Sequence, residues 1–280
     1  MNTILVSGAS TGIGFRLAEQ LAQLGYRVYA GARNDADLIR LGAAHDNIVP
    51  VTLDVTQPQQ VDAVVQQLHN EKLVALVNNA GIATIGPIES ISAEEFEQQL
   101  QVNLVGCYRL IRACTPLLRQ QQGRIINISS TSGLVGWPFA GVYVASKYGL
   151  EGLSDVLRVE LGRFGIRTIL VNPGAVATPL WEKTFSALHQ RLGRQSDAVQ
   201  NLYRDDMARS EEVVRKTIRA AVPPDTVVQT VVRALHSRHP KARYLVGPSA
   251  RFQQLLKSLL PTRWFDWLKH KIVYGGQDAA

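Results

Sequence analysis

The stretch Thr3-Ile-Leu-Val-Ser7 runs straight into Gly8-Ala-Ser-Thr-Gly12-Ile-Gly14, and Phe15, Leu17, Ala18, Leu21 and Ala22 follow at helical spacing. An apolar strand that turns on glycines into an amphipathic helix leaves few folds open, because it is the opening of a strand–helix–strand unit. Glycine lets the backbone turn sharply. It also lets a pyrophosphate approach the first turn of the helix, where unpaired N–H groups and the helix dipole favour an anion.

The unit recurs along the chain. Arg27-Val-Tyr-Ala-Gly31 reads as a second strand ending in Ala32-Arg33-Asn34. In a dinucleotide fold an acidic residue there holds the ribose 2′-hydroxyl, whereas an arginine suits a 2′-phosphate, so Arg33 points to NADP unless it is a solvated surface residue. The third strand, Ile48–Leu53, carries Asp54, which either meets the adenine edge or closes a loop, and Thr56-x-x-Gln59 is a capping-box pattern. Leu73–Val77 is uniformly apolar, as a strand covered on both faces should be, and runs into Asn78-Asn-Ala-Gly81. Ser92-x-x-Glu95 opens a helix, and Leu100, Leu104, Leu110, Ile111, Leu117 and Leu118 continue a helical pattern to about Gln121. Asn103 falls on its packed face and must find partners there, as a satisfied core amide or a working one. Arg124–Ser129, a helix from Tyr143 to Phe164, and Arg167–Val171 followed by Asn172-Pro-Gly174, Val176 and Thr178 complete the alternation. It predicts an α/β fold: one Rossmann-like, doubly wound parallel sheet with its chemistry at the carboxyl ends of the strands.

Tyr143 and Lys147 stand i and i+4, so in a helix the phenol and the ammonium share a face. A neighbouring cation favours the phenolate, which makes the tyrosine a working acid. Ser130, at the end of the fifth strand, can hold a substrate carbonyl oxygen while Tyr143 protonates it.

Past Pro179 the pattern changes. Residues 179–224 show no strand, and Trp181, Phe185 and Leu188 fall on one helical face, which predicts a helical flap over the site. Thr226–Leu235 reads as a helix and Tyr244–Val246 as a short last strand. The division expected is a catalytic dinucleotide-binding domain over 1–250 and an apolar helical extension over 251–280. In that tail Phe252, Leu255, Leu256, Leu259 and Leu260 form one stripe, and Trp264, Phe265 and Leu268 a second, among Lys257, Arg263, Lys269 and Lys271. So large an apolar patch needs a cover: the flap, which the sequence favours, a second subunit or a membrane surface. The formal charge is +7, yet Lys and Arg are scattered, with local density only after Arg191, so no nucleic acid is expected. Cys107 and Cys114 lie about 10 Å apart along one helix and cannot bridge. Free thiols, no signal peptide and no run long enough to span a bilayer fit a cytoplasmic protein with at most peripheral membrane contact through the tail. No metal-ligand cluster is read.

These motifs together resemble the classical short-chain dehydrogenases/reductases, with the likeness covering residues 3–180. By that resemblance Asn103, Ser130, Tyr143 and Lys147 are the catalytic four. Tyr143 is the general acid or base, Lys147 favours the phenolate and binds the nicotinamide ribose, Ser130 holds the carbonyl, and Asn103 positions a proton-relay water. It implies cofactor contacts at Gly8, Ser10, Thr11, Gly12, Ile13, Gly14 and Arg33, and at Asp54 and Val55 for the adenine. Asn79, Ala80 and Gly81 floor the crevice, Pro173, Gly174, Val176 and Thr178 meet the nicotinamide, and Tyr143 and Lys147 touch the cofactor as well. Ser7 replaces the usual threonine and keeps its hydroxyl; no basic residue precedes Gly12, so the NADP(H) expectation rests on Arg33 and NAD(H) stays open. Pro240-Lys-Ala-Arg-Tyr244-x-Val-Gly247 and the apolar tail are similar to the steroid, retinol and lipid-type branch. The activity implied is interconversion of a small apolar ketone or aldehyde and its alcohol by a carbonyl reductase or alcohol dehydrogenase, as a homodimer or homotetramer. Two alternatives are an NAD(H)-dependent hydroxysteroid or retinol-type dehydrogenase at a membrane surface and a non-catalytic dinucleotide-binding regulator.

Overall fold

In a computed structural model of the chain, which describes residues 1–275, the apolar runs become strands in turn. They are β1 (Asn2–Val6), β2 (Arg27–Ala32), β3 (Ile48–Thr52), β4 (Lys72–Asn78), β5 (Arg124–Ile128), β6 (Arg167–Pro173) and β7 (Arg243–Val246). All pair in parallel in one seven-stranded sheet of order β3-β2-β1-β4-β5-β6-β7. The order reverses at β1, which opens a crevice between the carboxyl ends of β1 and β4. Helices α1 (Gly12–Gln23), α2 (Asp35–Ala44) and α9 (Pro224–His236) cover one face, and α3 (Pro58–Gln67) and α5 (Gly106–Gln120) the other. Successive strand residues serve opposite faces: Ile4 and Val6 pack with Leu17, Leu21 and Val231, and Leu5 with Leu110, Ile111 and Val64. That two-sided burial is why the strands read as unbroken apolar runs. Cys107 and Cys114 are free and buried on α5, and burial pushes their thiols up to about 11 and about 12.

Three local expectations are corrected. The capping box at Thr56 does not form: Asp54 Oδ1 accepts both the Thr56 N–H (2.8 Å) and its hydroxyl (2.7 Å), and α3 starts at Pro58 with Gln57 as its cap. The box at Ser92 does form, at the head of α4 (Ala93–Leu100). The helix expected to run on from Leu100 passes instead through a π turn, Gln101–Val105, which holds Asn103. Gly106 lies so close to Val55 there that a Cβ would stand 2.5 Å from its Cγ2. The helix bearing Tyr143, α6, spans Gly141–Glu160, and a separate 3-10 turn covers Gly162–Phe164.

The flap consists of α7 (Leu180–Leu192) and α8 (Asp197–Arg219). Phe185, Leu188 and Met207 form its small core, joined by Trp181, Ile85 and Phe139. Arg191 fastens it, donating to Glu95 at 2.8 and 3.0 Å and to the Ile85 carbonyl at 2.7 Å. The tail forms α10 (Pro248–Leu259), which begins before the boundary expected at 251, and α11 (Thr262–Tyr274); residues 276–280 of the extension lie outside the described residues. The flap covers only part of the tail. Phe265 and Val273 are buried where α11 packs on α8, but Phe252, Leu255, Leu259 and Trp264 remain exposed. The cover favoured from the sequence is therefore corrected for those four residues: α10 rests on β7 and the turn after β5, away from α8.

Candidate active site

Gly8 and Gly14 show why the turn after β1 takes glycine. A Cβ on Gly8, at φ +65°, would stand 2.6 Å from Ala80 Cα, and one on Gly14 would stand 2.2 Å from the Gly8 carbonyl oxygen and 2.5 Å from Asn79 Nδ2. The turn is thus pressed against the end of β4. Ser7 Oγ accepts the N–H groups of Asn79 and Ala80, each at 3.1 Å, and Asn79 Nδ2 donates to the Gly8 carbonyl at 2.8 Å. The hydroxyl that Ser7 retains is the joint between the two loops. Thr178 closes over the same turn, within 3.1 Å of where a Gly12 Cβ would lie. Helix α1 begins at Gly12 with no acidic residue in its first turn, so its N–H groups face the crevice unopposed. A glycine cradle that side chains would fill, set at the head of a helix, fits a dinucleotide pyrophosphate.

Around the cradle the other expected contacts divide. Pro173 ends β6 and Gly174 follows it beside β7, where Gly174 N–H donates to the Val246 carbonyl at 3.0 Å, and the carbonyl of buried Val176 accepts the Trp181 indole N–H at 3.0 Å. Val55 is buried against Gly106, and Asp54 closes the Thr56 loop, with its own N–H held by Gln60 Oε1 at 2.6 Å. Arg33 is exposed at the end of β2 with no ion pair among the described residues. The arginine that touches the glycine turn is Arg40 of α2, which donates to the Ser10 carbonyl and to Asp37. Nothing in the sequence pattern pointed to it.

At the end of β5, Lys147 is buried on α6 and its Nζ donates to the Ile128 carbonyl at 2.9 Å, with the ammonium 5.8 Å from the Tyr143 ring centroid. Ser130 Oγ accepts the Ser132 N–H at 3.1 Å, and its proton has no acceptor among the described residues. Asn172 Nδ2 anchors the Ser130 carbonyl at 3.2 Å and Glu151 at 2.6 Å. Asn103 is wholly buried and its amide is committed: Oδ1 accepts Ile82 N–H at 2.9 Å, while Nδ2 donates to the Ile82 carbonyl at 2.9 Å and to Ser146 Oγ at 3.1 Å. Gln99, passed over in the sequence, does the same work one turn earlier, accepting the Thr84 N–H at 2.7 Å and donating to Ile82 at 2.9 Å and to Ser146 at 3.4 Å. Ser146 in turn donates to the Tyr143 carbonyl at 2.7 Å. Two buried amides therefore clamp the loop after Gly81 to the helix that carries the phenol.

At the head of α6, two residues before Tyr143, lies a cleft of ≈ 320 Å³, lined by Gly86, Pro87, Ile88, Trp137, Pro138, Phe139, Gly141, Tyr203 and Tyr274; Ser130, Tyr143 and Lys147 are not in its lining. Phe139 meets Tyr203 and Tyr274 edge-on at 6.3 and 6.1 Å between centroids. The flap and the end of the tail thus wall it with aromatic rings. Arg191 holds the Glu95 carboxyl below the usual carboxylate range through their hydrogen bonds.

The short chain dehydrogenase family model matches residues 2–189. A 17-beta-hydroxysteroid dehydrogenase type 6 of Bos taurus is 33% identical, covering 95% of this chain and 86% of its own. An NADPH-dependent 3-dehydrocapnine reductase of Ornithobacterium rhinotracheale is 30% identical, covering 97% of each. A short chain dehydrogenase of Burkholderia cenocepacia, solved in complex with NADP, superposes with a TM-score of 0.73 at 25% identity, covering 95% of this chain and 96% of that one. With those matches running through every motif around the crevice, the chain belongs to the short-chain dehydrogenases/reductases, near their steroid- and retinol-type branch, and is an oxidoreductase on a dinucleotide-binding Rossmann fold.

Proposed function

We propose that the protein is an NADP(H)-dependent carbonyl reductase or alcohol dehydrogenase that interconverts an apolar ketone or aldehyde and its alcohol, with Tyr143 as the general acid or base. The observation that carries this is the pairing of Tyr143 with a buried Lys147 at the end of the strand that leads to Ser130. When bound, the nicotinamide supplies or accepts the hydride. Ser130 donates its uncommitted proton to the substrate oxygen and holds it. Tyr143 gives that oxygen a proton in reduction and recovers it in oxidation, and Lys147 stabilises the phenolate left behind. Lys147 would also reach the nicotinamide ribose.

In this reading Gly8, Ser10, Thr11, Gly12, Ile13 and Gly14 hold the pyrophosphate, Asp54 and Val55 border the adenine, and Asn79, Ala80 and Gly81 floor the crevice. Pro173, Gly174, Val176 and Thr178 meet the nicotinamide, and Arg33 takes the 2′-phosphate. Support for NADP(H) comes from Arg33, which makes no ion pair among the described residues, from the relative named as NADPH-dependent and from the neighbour solved with NADP. The aromatic cleft and the hydroxysteroid relative support an apolar substrate. Exposed Tyr108, Val156 and Val159 on α5 and α6 favour a homodimer or homotetramer, and two buried free thiols favour the cytoplasm. The test is NADPH oxidation with ketosteroids, retinal, and aliphatic and aryl ketones. Turnover that rises with apolar bulk supports the reading. No turnover of any carbonyl with either cofactor, while the cofactor still binds, would leave a dinucleotide-binding regulator.

A further inference from the structure

We propose that α10 and α11 form a docking surface for an anionic lipid bilayer. On α10, Phe252, Leu255 and Leu259 stand at i, i+3 and i+7, one face of the helix, and all three are more than half exposed. On α11, Phe265 and Val273 turn inward while Trp264 (67% exposed) and Trp267 (55%) turn outward, followed at i+7 from Trp264 by Lys271. Five apolar side chains, two of them tryptophan, thus lie bare on two adjoining helices, where a soluble monomer rarely leaves such a patch.

Charge identifies the cover. Residues 248–275 contain five Lys or Arg against a single Asp, and that Asp266 is taken by Lys269 at 2.7 Å. Arg251, Arg263 and Lys271 make no ion pair among the described residues, and Lys271 Nζ lies 5.2 Å from the Trp267 ring centroid. A second copy of the chain would bring the same positive surface against this one. An anionic headgroup layer instead pairs with the cations while the indole rings settle at the headgroup level, as interfacial amphipathic helices do. Neither helix can go further: no helix among the described residues is long and apolar enough to cross a membrane, and α10, at 12 residues, would reach only about 18 Å.

The surface adjoins the site. Gln253 of α10 accepts the Trp137 indole N–H at 3.3 Å, Lys257 donates to the Leu134 carbonyl, and Tyr274 of α11 lines the aromatic cleft. Docking would therefore set the cleft beside the bilayer, where apolar carbonyl compounds partition. That consequence rests on the catalytic reading above; the docking itself does not.

The experiment is co-sedimentation of the full chain with phosphatidylcholine vesicles and with vesicles carrying about a third phosphatidylserine, scored beside NADPH oxidation on a water-soluble ketone. Wild type should bind the anionic vesicles with a blue-shifted tryptophan emission, bind neutral ones at least about tenfold less, and release in high salt. Trp264→Glu and Arg263→Glu should each lower partitioning about fivefold or more, with soluble turnover retained as the check on folding. Failure of wild type to bind anionic vesicles at low salt would overturn the docking, as would variants that bind like wild type. Dissociation of an oligomer by Trp264→Glu, without vesicle binding in either protein, would give the face to a second copy and overturn it as well. Absent turnover with intact vesicle binding would fault only the catalytic reading.

Discussion

Lys147 Nζ donates to the Ile128 carbonyl at 2.9 Å, and no carboxylate among the described residues pairs with this buried ammonium. A buried charge met by one carbonyl is stabilised only in part, and its two remaining N–H groups, without an acceptor among the described residues, are free for the phenolate and ribose roles proposed above. Lys147→Met should lower kcat by about 100-fold or more and weaken NADPH binding, measured by titration. Its thermal midpoint without cofactor should equal or exceed that of wild type, because a partly paired charge leaves the interior. A lowered midpoint with normal cofactor affinity would make Lys147 a structural residue.

Arg33 supplies the cofactor prediction. A guanidinium on a 2′-phosphate makes charge-assisted bonds of about 1.5–3 kcal/mol, so NADPH should exceed NADH in kcat/KM by at least about tenfold. Arg33→Asp should reverse the order. An unchanged ratio in that variant would show a solvated surface arginine and pass the role to Arg40, which already touches the Ser10 carbonyl.

The clamp between Arg191 and Glu95 carries a pH dependence. Arg191 lowers the Glu95 carboxyl in the folded state below its ordinary 4.5, so its contribution to stability is complete above that value and is lost as the pH falls through the lowered one. The half-exposed carboxylate makes the effect modest. Between about pH 6 and pH 3 the urea midpoint of wild type should fall more than that of Glu95→Gln, and equal falls would dismiss the clamp.

Gln99→Leu would leave the half-buried Thr84 N–H without its acceptor and Ser146 with one donor fewer, an effect of up to roughly 1–3 kcal/mol per orphaned group. Because the loop and the Tyr143 helix lose a shared anchor, kcat should fall several-fold while the Kd for NADPH, set at the glycine cradle, holds. Lost stability with unchanged kcat would confine Gln99 to packing.

Much of this was legible in the sequence because the sheet is buried on both faces, so each strand shows as an apolar run and each glycine turn or cap marks where it ends. The proposed site shows in the sequence for a related reason: Ser130 follows one strand directly and Tyr143 and Lys147 share one helical turn. What failed depended on contacts that residue patterns do not encode. Thr56 carries the pattern of a cap, but Asp54 lies close enough to take both its donors. The π turn at Asn103 ends where Gly106 meets Val55 from another segment, and Gln99 reads as one more polar residue of a capped helix until Ile82 and Thr84 fold over it. The tail's stripe is the same whatever covers it, so it does not separate exposed Phe252 from Phe265 and Val273, which are buried where α11 packs on α8.

The central claim is that Tyr143 moves the proton, and Tyr143→Phe tests it most directly, because the ring and its packing stay and only the hydroxyl goes. With NADPH and the best apolar carbonyl substrate, the variant should lose at least about 100-fold in kcat while its Kd for NADPH changes little. Retention of more than about a tenth of the wild-type rate would contradict the mechanism.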